Sequence, residues 1–570
     1  MAKKNEYDAI IVGGGINGVG IARDCALRGI RTLLIEKHDF AKGASGNNTG
    51  MIHGGIRYLR YDVETTKKSC TDSGYIQKIA SHLLSRIPFL FPVFKGDTKG
   101  RLLLEGAEIF FEAYDVFQPL KHGKSHTRLT GPEALALESG LSPDVIGAVT
   151  LDEWGINAYR LTVENAVDAA LHGADMRTYC ELVDFVRDQD GAVIGVRFYD
   201  RLRHSHEEHR ATVVINATGA WGPRISAKTG VAYRLRQGKG AHVVFSHRIS
   251  NYGMIMNAVD GRQMFFLPHE SGTIIGTTDD DFYGDLDAPP MLEDEVKYIL
   301  QAARKVFPAI DKYRQISTYV GIRPTIYQWG KTEDELSREH AIIDHAVDNL
   351  PGLLSVTGGK LAAYRQLAEE VTDVIAKQVM VKTPCQTHEA LLPGAKGNLD
   401  VAAIAAQLNI PGLSVARMVS KFGSCAQIIL DSAKAIPRSL EEVCLCESVS
   451  NAELRYSAAN ELVLCLDDLR GRTKLAKGAC GGCHCIWRAS QIFAEEKNLK
   501  PPQALAELHH AMNQTFRERR AVLKGANLAS EELLQASYFL SGNLGSFMRA
   551  AEYQLGLSGK ILKAAIAAEN

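Results

Sequence analysis

The densest group of reactive side chains in this 570-residue sequence is a set of cysteines near its C-terminal end. Six of the eleven cysteines fall within the 42 residues from Cys444 to Cys485. Cys444 and Cys446 form the C-x-C pair of VCLC, while Cys480, Cys483 and Cys485 lie in CGGCHC. Thiolates in such numbers bind soft metal ions or iron–sulfur clusters, or exchange electrons as dithiols. This spacing predicts a metal, cluster or redox site.

Three kinds of site compete for these thiols. Structural zinc sites usually pair cysteines two to four residues apart, so a C-x-C pair is unusual for zinc. A redox dithiol uses two cysteines, whereas an iron–sulfur cluster uses four thiolates. Residues 451–478 follow a helical pattern that places the sixth cysteine, Cys465, on an apolar face. We therefore expect Cys465 in the core and the other five as candidate ligands.

The N-terminal end carries a second chemical motif, which indicates a dinucleotide pocket. The apolar strand YDAIIV (7–12) leads into Gly13, Gly15 and Gly18 in a G-x-G-x-x-G arrangement, followed by a helical stretch and a strand that ends at Glu36. The glycines allow a tight turn and close approach of a pyrophosphate to a helix N-terminus. Glu36 lies 18 residues beyond Gly18, where a carboxylate binds ribose hydroxyls. This motif leaves FAD and NAD open.

Two later segments favour FAD. TVVINATG (212–219) and LLSVTGGKL (353–361) are apolar strands that end in glycines. Both are typical of a chain that returns to the nucleotide-binding domain after forming other structure. The intervening segments then form a second domain that covers the substrate.

A polar loop and scattered cations indicate an anionic substrate. GASGNNTGMIHGGIRYLR (43–60) is rich in small, hydrogen-bonding residues that suit the length of a flavin. Arg57, Arg323, Arg338 and Lys360 would suit a phosphate if they converge, because guanidinium groups pair bidentately with such oxyanions. For each of them alone, a surface ion pair is the alternative.

Composition excludes several classes of protein. A net charge of −1 argues against a general nucleic-acid binder, including a tRNA-modifying flavoprotein. No run of 18 apolar residues and no signal-peptide pattern occurs, so we expect a cytoplasmic protein without a transmembrane helix.

Five spaced motifs resemble the FAD-dependent glycerol-3-phosphate dehydrogenase family. They are MIHGGIRYL, RQGKGAHVVF (236–245), IIGTTD (274–279), YVGIRPT (319–325) and VTGGKLAAYR (356–365). The resemblance covers roughly residues 5–380. It implies an α/β fold with a glutathione-reductase-like FAD-binding domain and an inserted antiparallel-sheet substrate domain. The implied reaction oxidises sn-glycerol 3-phosphate to dihydroxyacetone phosphate.

The resemblance also implies roles for individual residues. The general base is left open among His53, His242 and Lys360. The expected catalytic and substrate-binding residues are His53, Arg57, Tyr58, His242, Arg323, Arg338 and Lys360. The expected FAD-binding residues are Gly13, Gly15, Asn17, Gly18, Glu36, Ser45, Asn47, Thr49, His53, Gly219, Gly359 and Leu361.

The thiol region resembles the bacterioferritin-associated ferredoxin domain, which carries a [2Fe–2S] cluster. Within the dehydrogenase family, such a domain follows the flavin domain in the anaerobic branch. Cys444, Cys446 and Cys480 match both patterns, whereas the fourth ligand is Cys483 in the free ferredoxin spacing and Cys485 in the spacing of the anaerobic branch. The resemblance implies partner subunits that connect the cluster to a membrane quinone, at the inner face of the membrane.

These motifs predict the following organisation. Residues 1–385 form the FAD-dependent oxidoreductase domain, with nucleotide-binding segments at about 5–75, 150–225 and 350–385. Residues 386–440 connect it to a [2Fe–2S] domain at 441–500, and 501–570 form a C-terminal helical segment. Two other functions remain open, a flavin-dependent amine or amino-acid dehydrogenase and a redox sensor without catalysis.

Overall fold

The computed structural model describes residues 6–60, 62–97, 100–270, 272–331, 336–337, 339–436 and 438–541. The strands are β1 Tyr7–Val12, β2 Thr32–Ile35, β3 Leu84–Phe94, β4 Arg128–Thr130, β5 Val145–Ile156, β6 Asp175–Arg177, β7 Cys180–Arg187, β8 Val193–Asp200, β9 Ser205–Asn216, β10 Leu235–Phe245, β11 Gly253–Asn257, β12 Gln263–His269, β13 Gly272–Gly276, β14 Asp280–Asp281, β15 Gln315–Ile326, β16 His340–Asp344, β17 Leu353–Gly358, β18 Glu442–Cys444 and β19 Val449–Ser450. The helices are α1 Ile16–Leu27, α2 Val63–Ile79, α3 Gly100–Asp115, α4 Gly131–Leu137, α5 Ala158–Leu171, α6 Gly222–Ser226, α7 Glu293–Val306, α8 Tyr364–Gln378, α9 Val401–Leu408, α10 Gly412–Phe422, α11 Ala426–Ala433, α12 Asn451–Asn460, α13 Leu466–Thr473, α14 Ile486–Lys497, α15 Pro501–Arg519 and α16 Ala526–Ser541.

The chain divides into two compact units. The first comprises Met1–Arg314, Thr318–Asp400 and Val419–Cys425, and the second comprises Gln315–Ser317, Val401–Met418 and Ala426–Asn570.

A sheet of mainly parallel strands carries the predicted nucleotide motif in the first unit. Its order is β16-β17-β9-β1-β2-β6, and β7 and β8 extend it from β9. The strands from β17 to β6 run parallel, as the register Val12↔Ile35 illustrates for β1 and β2. Both faces of β1 and β2 are buried, which explains why their sequences are continuous apolar runs. The carboxyl ends of these strands are where such sheets bind ligands.

The second sheet of this unit follows the order β14-β10-β13-β12-β11-β3-β5-β4, with β15 paired to β10. Most neighbours are antiparallel, and β3 with β11 is a parallel pair. β3 and β5 pair along most of their length, and their buried residues pack against α3 in one core. The predicted α/β class, with a nucleotide-binding sheet and a largely antiparallel second sheet, is confirmed.

The second unit is helical around the short hairpin of β18 and β19. Its core gathers residues from α12 to α15, including Leu454, Leu469, Ile492 and Leu508. The continuous helical pattern expected over 451–478 is wrong, because the chain breaks between α12 and α13, where Leu462 has φ of 53°. Cys465 is buried, as expected, but it is the N-cap residue of α13 and its thiol donates to Asp468 at 3.2 Å.

Candidate active site and thiol cluster

The glycine turn between β1 and α1 has no room for side chains. Gly13 has φ of 116°, and a Cβ there would lie 2.7 Å from the carbonyl oxygen of Ala217. A Cβ on Gly18 would lie 1.9 Å from the carbonyl oxygen of Gly13. Both contacts are with backbone, which cannot yield as a flexible side chain can. The turn, the helix and β9 therefore pack as closely as a dinucleotide cradle requires.

The groups around this turn are oriented for an anion and a ribose. The N-cap of α1 is Gly15, which provides no side-chain hydrogen bond, and the amide of Ile16 donates to Ser45 Oγ at 2.8 Å. The carboxylate of Glu36 accepts from the amides of Gly14 and His38 at 2.7 and 2.8 Å. Glu36 is thus fixed at the end of β2, beside the turn. Asn17 lies in the first turn of α1.

The polar loop after Glu36 is held by its own asparagines. Asn47 donates to the carbonyls of Lys42 and Gly43 at 2.9 and 3.0 Å. A Cβ on Gly321 would lie 2.2 Å from the carbonyl oxygen of Asn47, so the YVGIRPT strand β15 approaches this loop at backbone distance. Thr49 Oγ1 lies 3.4 Å from His242 Nε2, which connects the loop to the second sheet.

Polar side chains from the polar loop, from β15 and from the segment between β13 and β14 surround His242 on β10. The His242 ring stacks on Tyr319 with centroids 4.5 Å apart, and Tyr319 donates to the carbonyl of Asn48 at 3.1 Å. Arg323 forms an ion pair with Asp279 at 2.8 Å and donates to Thr277 Oγ1 at 3.0 Å. We call Thr49, His242, Asp279, Tyr319 and Arg323 the His242 group.

Three guanidinium groups share the buried carboxylate of Asp279. Arg236 approaches it at 2.9 Å, Arg323 at 2.8 Å and Arg262 at 3.5 Å. Arg236 also pairs with the half-exposed Asp281 at 2.6 Å. Such a cluster of cations is a suitable environment for an oxyanion.

His242 is held neutral by its surroundings. Its burial, and then the charge of Arg323, lower its pKa to about 3. Among the described residues, the buried Nδ1 atom has no hydrogen-bond partner. The imidazole can therefore accept or donate a hydrogen bond, but the imidazolium form is strongly disfavoured.

Tyr58 and Lys360 contact each other beside a second glycine pair. Lys360 Nζ lies 3.9 Å from the centroid of the Tyr58 ring and donates to Ser69 Oγ at 3.3 Å. A Cβ on Gly55, which has φ of 76°, would lie 2.1 Å from Lys360 Nζ. A Cβ on Gly54 would collide with Tyr114 and Cys70. The GGIRY loop is therefore seated on a packed layer of side chains.

The remaining predicted residues fall in several places. The half-buried ring of His53 lies 6.0 Å from that of Phe265, and Phe265 pairs with Gly276, which in turn pairs with His242. Gly219 and Gly359 have φ of 57° and 85° at the ends of β9 and β17, and Leu361 begins a short 3-10 helix. Arg57 lies in the 3-10 helix Ile56–Arg60, with its side chain outside the described part, and Arg338 lies outside the described residues.

Sequence reasoning missed residues that stood inside the recognised motifs. Tyr319 is the first residue of YVGIRPT, and Thr277 and Asp279 belong to IIGTTD. Their presence in the motifs that carry the family resemblance was the available signal. Pattern alone could not identify which side of each strand faces His242.

In the second unit, the five candidate cysteine ligands lie close together, and we call them the thiol cluster. Cys485 shares a hydrogen bond with Cys444, and this bond lowers the pKa of Cys444 to about 6 while it raises the pKa of Cys485. Cys480 shares hydrogen bonds with both Cys446 and Cys483. The structure brings all five predicted residues together.

Backbone amides are directed at two of these sulfur atoms. The amide of Ala476 is directed at both Cys444 and Cys485, and that of Glu447 at Cys444. Cys485 is buried in the core of the unit, whereas Cys480 and Cys483 are half-buried. Within the described ranges, no set of three or more histidine, cysteine, aspartate and glutamate side chains is arranged to hold a metal ion as it stands.

Comparison with known proteins assigns the chain to a family. Residues 8–365 match the family described as FAD dependent oxidoreductase. The A subunit of the anaerobic glycerol-3-phosphate dehydrogenase of Escherichia coli is 30% identical over 538 residues, which cover 93% of this chain and 96% of that protein. Its counterpart in Haemophilus influenzae is 31% identical and covers the same share of this chain and 92% of its own length.

Solved structures give the same result for the fold. The X-ray structure of the glycerol-3-phosphate dehydrogenase from Bacillus halodurans, complexed with FAD, matches with a TM-score of 0.73 and 26% identity, over 92% of this chain and 97% of that one. A glycine oxidase from Bacillus cereus shares the fold alone, with a TM-score of 0.51 and 20% identity, over 67% of this chain and 99% of its own. No helix in the described ranges has both the length and the apolar character needed to cross a membrane.

Proposed function

This chain belongs to the FAD dependent oxidoreductase family and is an oxidoreductase, and we propose that it oxidises sn-glycerol 3-phosphate to dihydroxyacetone phosphate. Relatives over 93% of the chain carry the name glycerol-3-phosphate dehydrogenase, which supports this substrate. The observation that carries the proposal is the His242 group. It combines the guanidinium group of Arg323, which Asp279 holds in place, with a neutral imidazole beside the loop that leads from the nucleotide cradle.

The residues of the first unit fit FAD. The close backbone contact of Gly13 with Gly18, the N-terminus of α1 and the carboxylate of Glu36 suit the pyrophosphate and the ribose. Ser45, Asn47, Thr49 and His53 lie on the loop that we assign to the flavin side. When bound, FAD supplies a hydride acceptor for C2 of the substrate. Gly219, Gly359 and Leu361 would approach the cofactor from the ends of β9 and β17.

The phosphate of the substrate would bind near Arg323. Asp279, Thr277 and the carbonyl of Thr278 fix the orientation of its guanidinium group. An arginine whose orientation is fixed in advance loses less entropy when it binds an oxyanion. We assign Arg57 and Arg338 to the same phosphate from the family resemblance.

The hydroxyl proton of the substrate needs an acceptor. His242 is a weak candidate because burial and Arg323 oppose its imidazolium form. We therefore assign it to orient the substrate by hydrogen bonding. We assign the half-buried His53 as the acceptor in preference to His242, and Tyr58 with Lys360 would line the pocket.

The thiol cluster fits a [2Fe–2S] cluster. Cys444, Cys446 and Cys480 would be ligands, with Cys485 or Cys483 as the fourth. Four cysteine thiolates are the donor set that such clusters use, and backbone amides are directed at the sulfur atoms of Cys444 and Cys485. When bound, the cluster supplies a one-electron carrier. Electrons would continue to a partner subunit and to a membrane quinone. The relatives are named as one subunit of their enzyme, which supports such a partner. The protein would work in the cytoplasm, at the inner face of the membrane.

Anaerobic titration of the purified protein with glycerol 3-phosphate tests this function. We expect bleaching of the flavin absorbance, followed by the EPR signal of a reduced [2Fe–2S] cluster. If an amino acid or amine bleaches the flavin while glycerol 3-phosphate does not, the proposed substrate is wrong. A protein that contains zinc and no iron would exclude the cluster.

The fourth ligand can be assigned by separate substitutions. We expect Cys485→Ser to lose iron and Cys483→Ser to retain it, because Cys485 is the thiol that contacts Cys444 in the core of the unit. Iron and sulfide content of each variant provides the measurement. The reverse outcome would assign Cys483.

A further inference from the structure

A buried arginine from α15 lies against the turn that joins two of the candidate ligands. The side chain of Arg519 is 4% exposed. Its guanidinium group donates to the carbonyls of Gly478 and Ala479 at 3.5 and 3.4 Å, directly before Cys480. These contacts stabilise the chain where it enters the CGGC turn.

The turn itself is shaped to accept this side chain. Gly481 and Gly482 have φ of 64° and 86°, a region that favours glycine. A Cβ on Gly481 would lie 2.8 Å from both Cζ and Nε of Arg519. Gly481 thus allows the backbone between Cys480 and Cys483 to lie against the guanidinium group. Arg519 is in van der Waals contact with this turn.

Among the described residues, Arg519 also has one charged partner and one buried donor that is left unsatisfied. It forms an ion pair with the buried Glu531 of α16 at 3.2 Å. Its Nε atom is buried and has no hydrogen-bond partner among the described residues. A buried donor costs free energy unless a neighbouring group accepts from it. An anionic cluster held by the adjacent cysteines is such a group.

We propose that Arg519 is a positioning residue that orients the CGGC turn for the cluster and raises the reduction potential of the cluster. This inference rests on the proposed [2Fe–2S] cluster. Reduction adds one negative charge, which a nearby cation stabilises and a nearby carboxylate opposes. Glu531 would therefore act in the opposite direction, and the Arg519 and Glu531 pair would set the potential together.

An EPR-monitored redox titration of the full-length protein tests the proposal. We expect Arg519→Met to lower the potential, because Glu531 is then left without its cation, by at least a tenfold change in the reduction equilibrium, or about 59 mV for a one-electron couple. Glu531→Gln should raise the potential. Arg519→Lys should keep it close to that of the wild type, although with less iron retained, because lysine cannot span both carbonyls.

Arg517→Met is the matched control, since Arg517 is an exposed cation on the same helix. Its potential should equal that of the wild type. If Arg519→Met does not yield a stable protein, the potential of Glu531→Gln decides: an increase supports the proposal, and a potential equal to that of the wild type overturns it. A wild-type protein that holds a cluster, with potentials unmoved by Glu531→Gln and Arg519→Met, would overturn this inference alone. A wild-type protein without iron would overturn the cluster and this inference together.

Discussion

The His242 group and the thiol cluster draw their residues from very different distances along the chain. Thr49 and Arg323 are 274 residues apart, whereas all five thiols fall within 42 residues. The first site depends on strands β10, β13 and β15 pairing in the correct register, and the second depends on one hairpin, one turn and the start of α14. A site assembled across a sheet is sensitive to buried charge and strand register. A locally assembled site is sensitive to its ligands and its turn.

Loss of one cysteine ligand should show most clearly that the thiol cluster and the His242 group are independent sites. We expect Cys480→Ser to lose the cluster and abolish electron transfer to an external acceptor, because Cys480 contacts both Cys446 and Cys483. FAD content and flavin bleaching by glycerol 3-phosphate should persist. Cys465→Ser is the control, since serine preserves the N-cap of α13. Loss of FAD together with iron would contradict the independence of the two sites.

The nucleotide cradle should be the most sensitive part of the first unit to added volume. Gly18→Ala places a Cβ 1.9 Å from the carbonyl oxygen of Gly13, so the backbone must move. With overpacking costs of about 1–3 kcal/mol or more, FAD affinity should fall roughly 100-fold. Gly106→Ala, in helix α3, meets nothing within 4 Å and is the matched control. Equal FAD affinity in both variants, measured by flavin fluorescence, would exclude the proposed cradle.

The sequence predicted the local features well and the long-range ones in part. The strands, the glycine turn, Glu36 and the five thiols follow from residue type and spacing over short distances. Asp279 and Tyr319 were not predicted as site residues, because their roles arise only when β13 and β15 lie beside β10. The break between α12 and α13 was also missed, since the apolar pattern continues across Leu462 while its backbone does not.

Substitution of Asp279 tests how much its buried carboxylate contributes to catalysis at the His242 group. We expect Asp279→Asn to lower kcat/KM about tenfold, mainly through KM, because Arg323 loses the carboxylate that fixes its orientation. Asp281→Asn is the control, since Asp281 is half-exposed and contacts Arg236 rather than Arg323. Exposed ion pairs contribute little, so its kcat/KM should change less than about threefold. Steady-state kinetics with a dye acceptor give both values.

The last prediction concerns the dependence of stability on pH through His242. Its pKa of about 3 lies below the ordinary value of 6.5, so the unfolded chain binds a proton between these values while the folded chain does not. Stability is therefore full above pH 6.5 and is lost as the pH falls towards 3. The loss between pH 7 and pH 5 is roughly 2 kcal/mol. Thermal unfolding can be followed by the release of flavin fluorescence at pH 7 and pH 5. The loss of stability between these pH values should be smaller in His242→Gln than in the wild type. His172→Gln, which replaces an exposed histidine, is the control and should match the wild type at both pH values. If His242→Gln loses as much stability between pH 7 and pH 5 as the wild type does, His242 is accessible to protons in the folded protein.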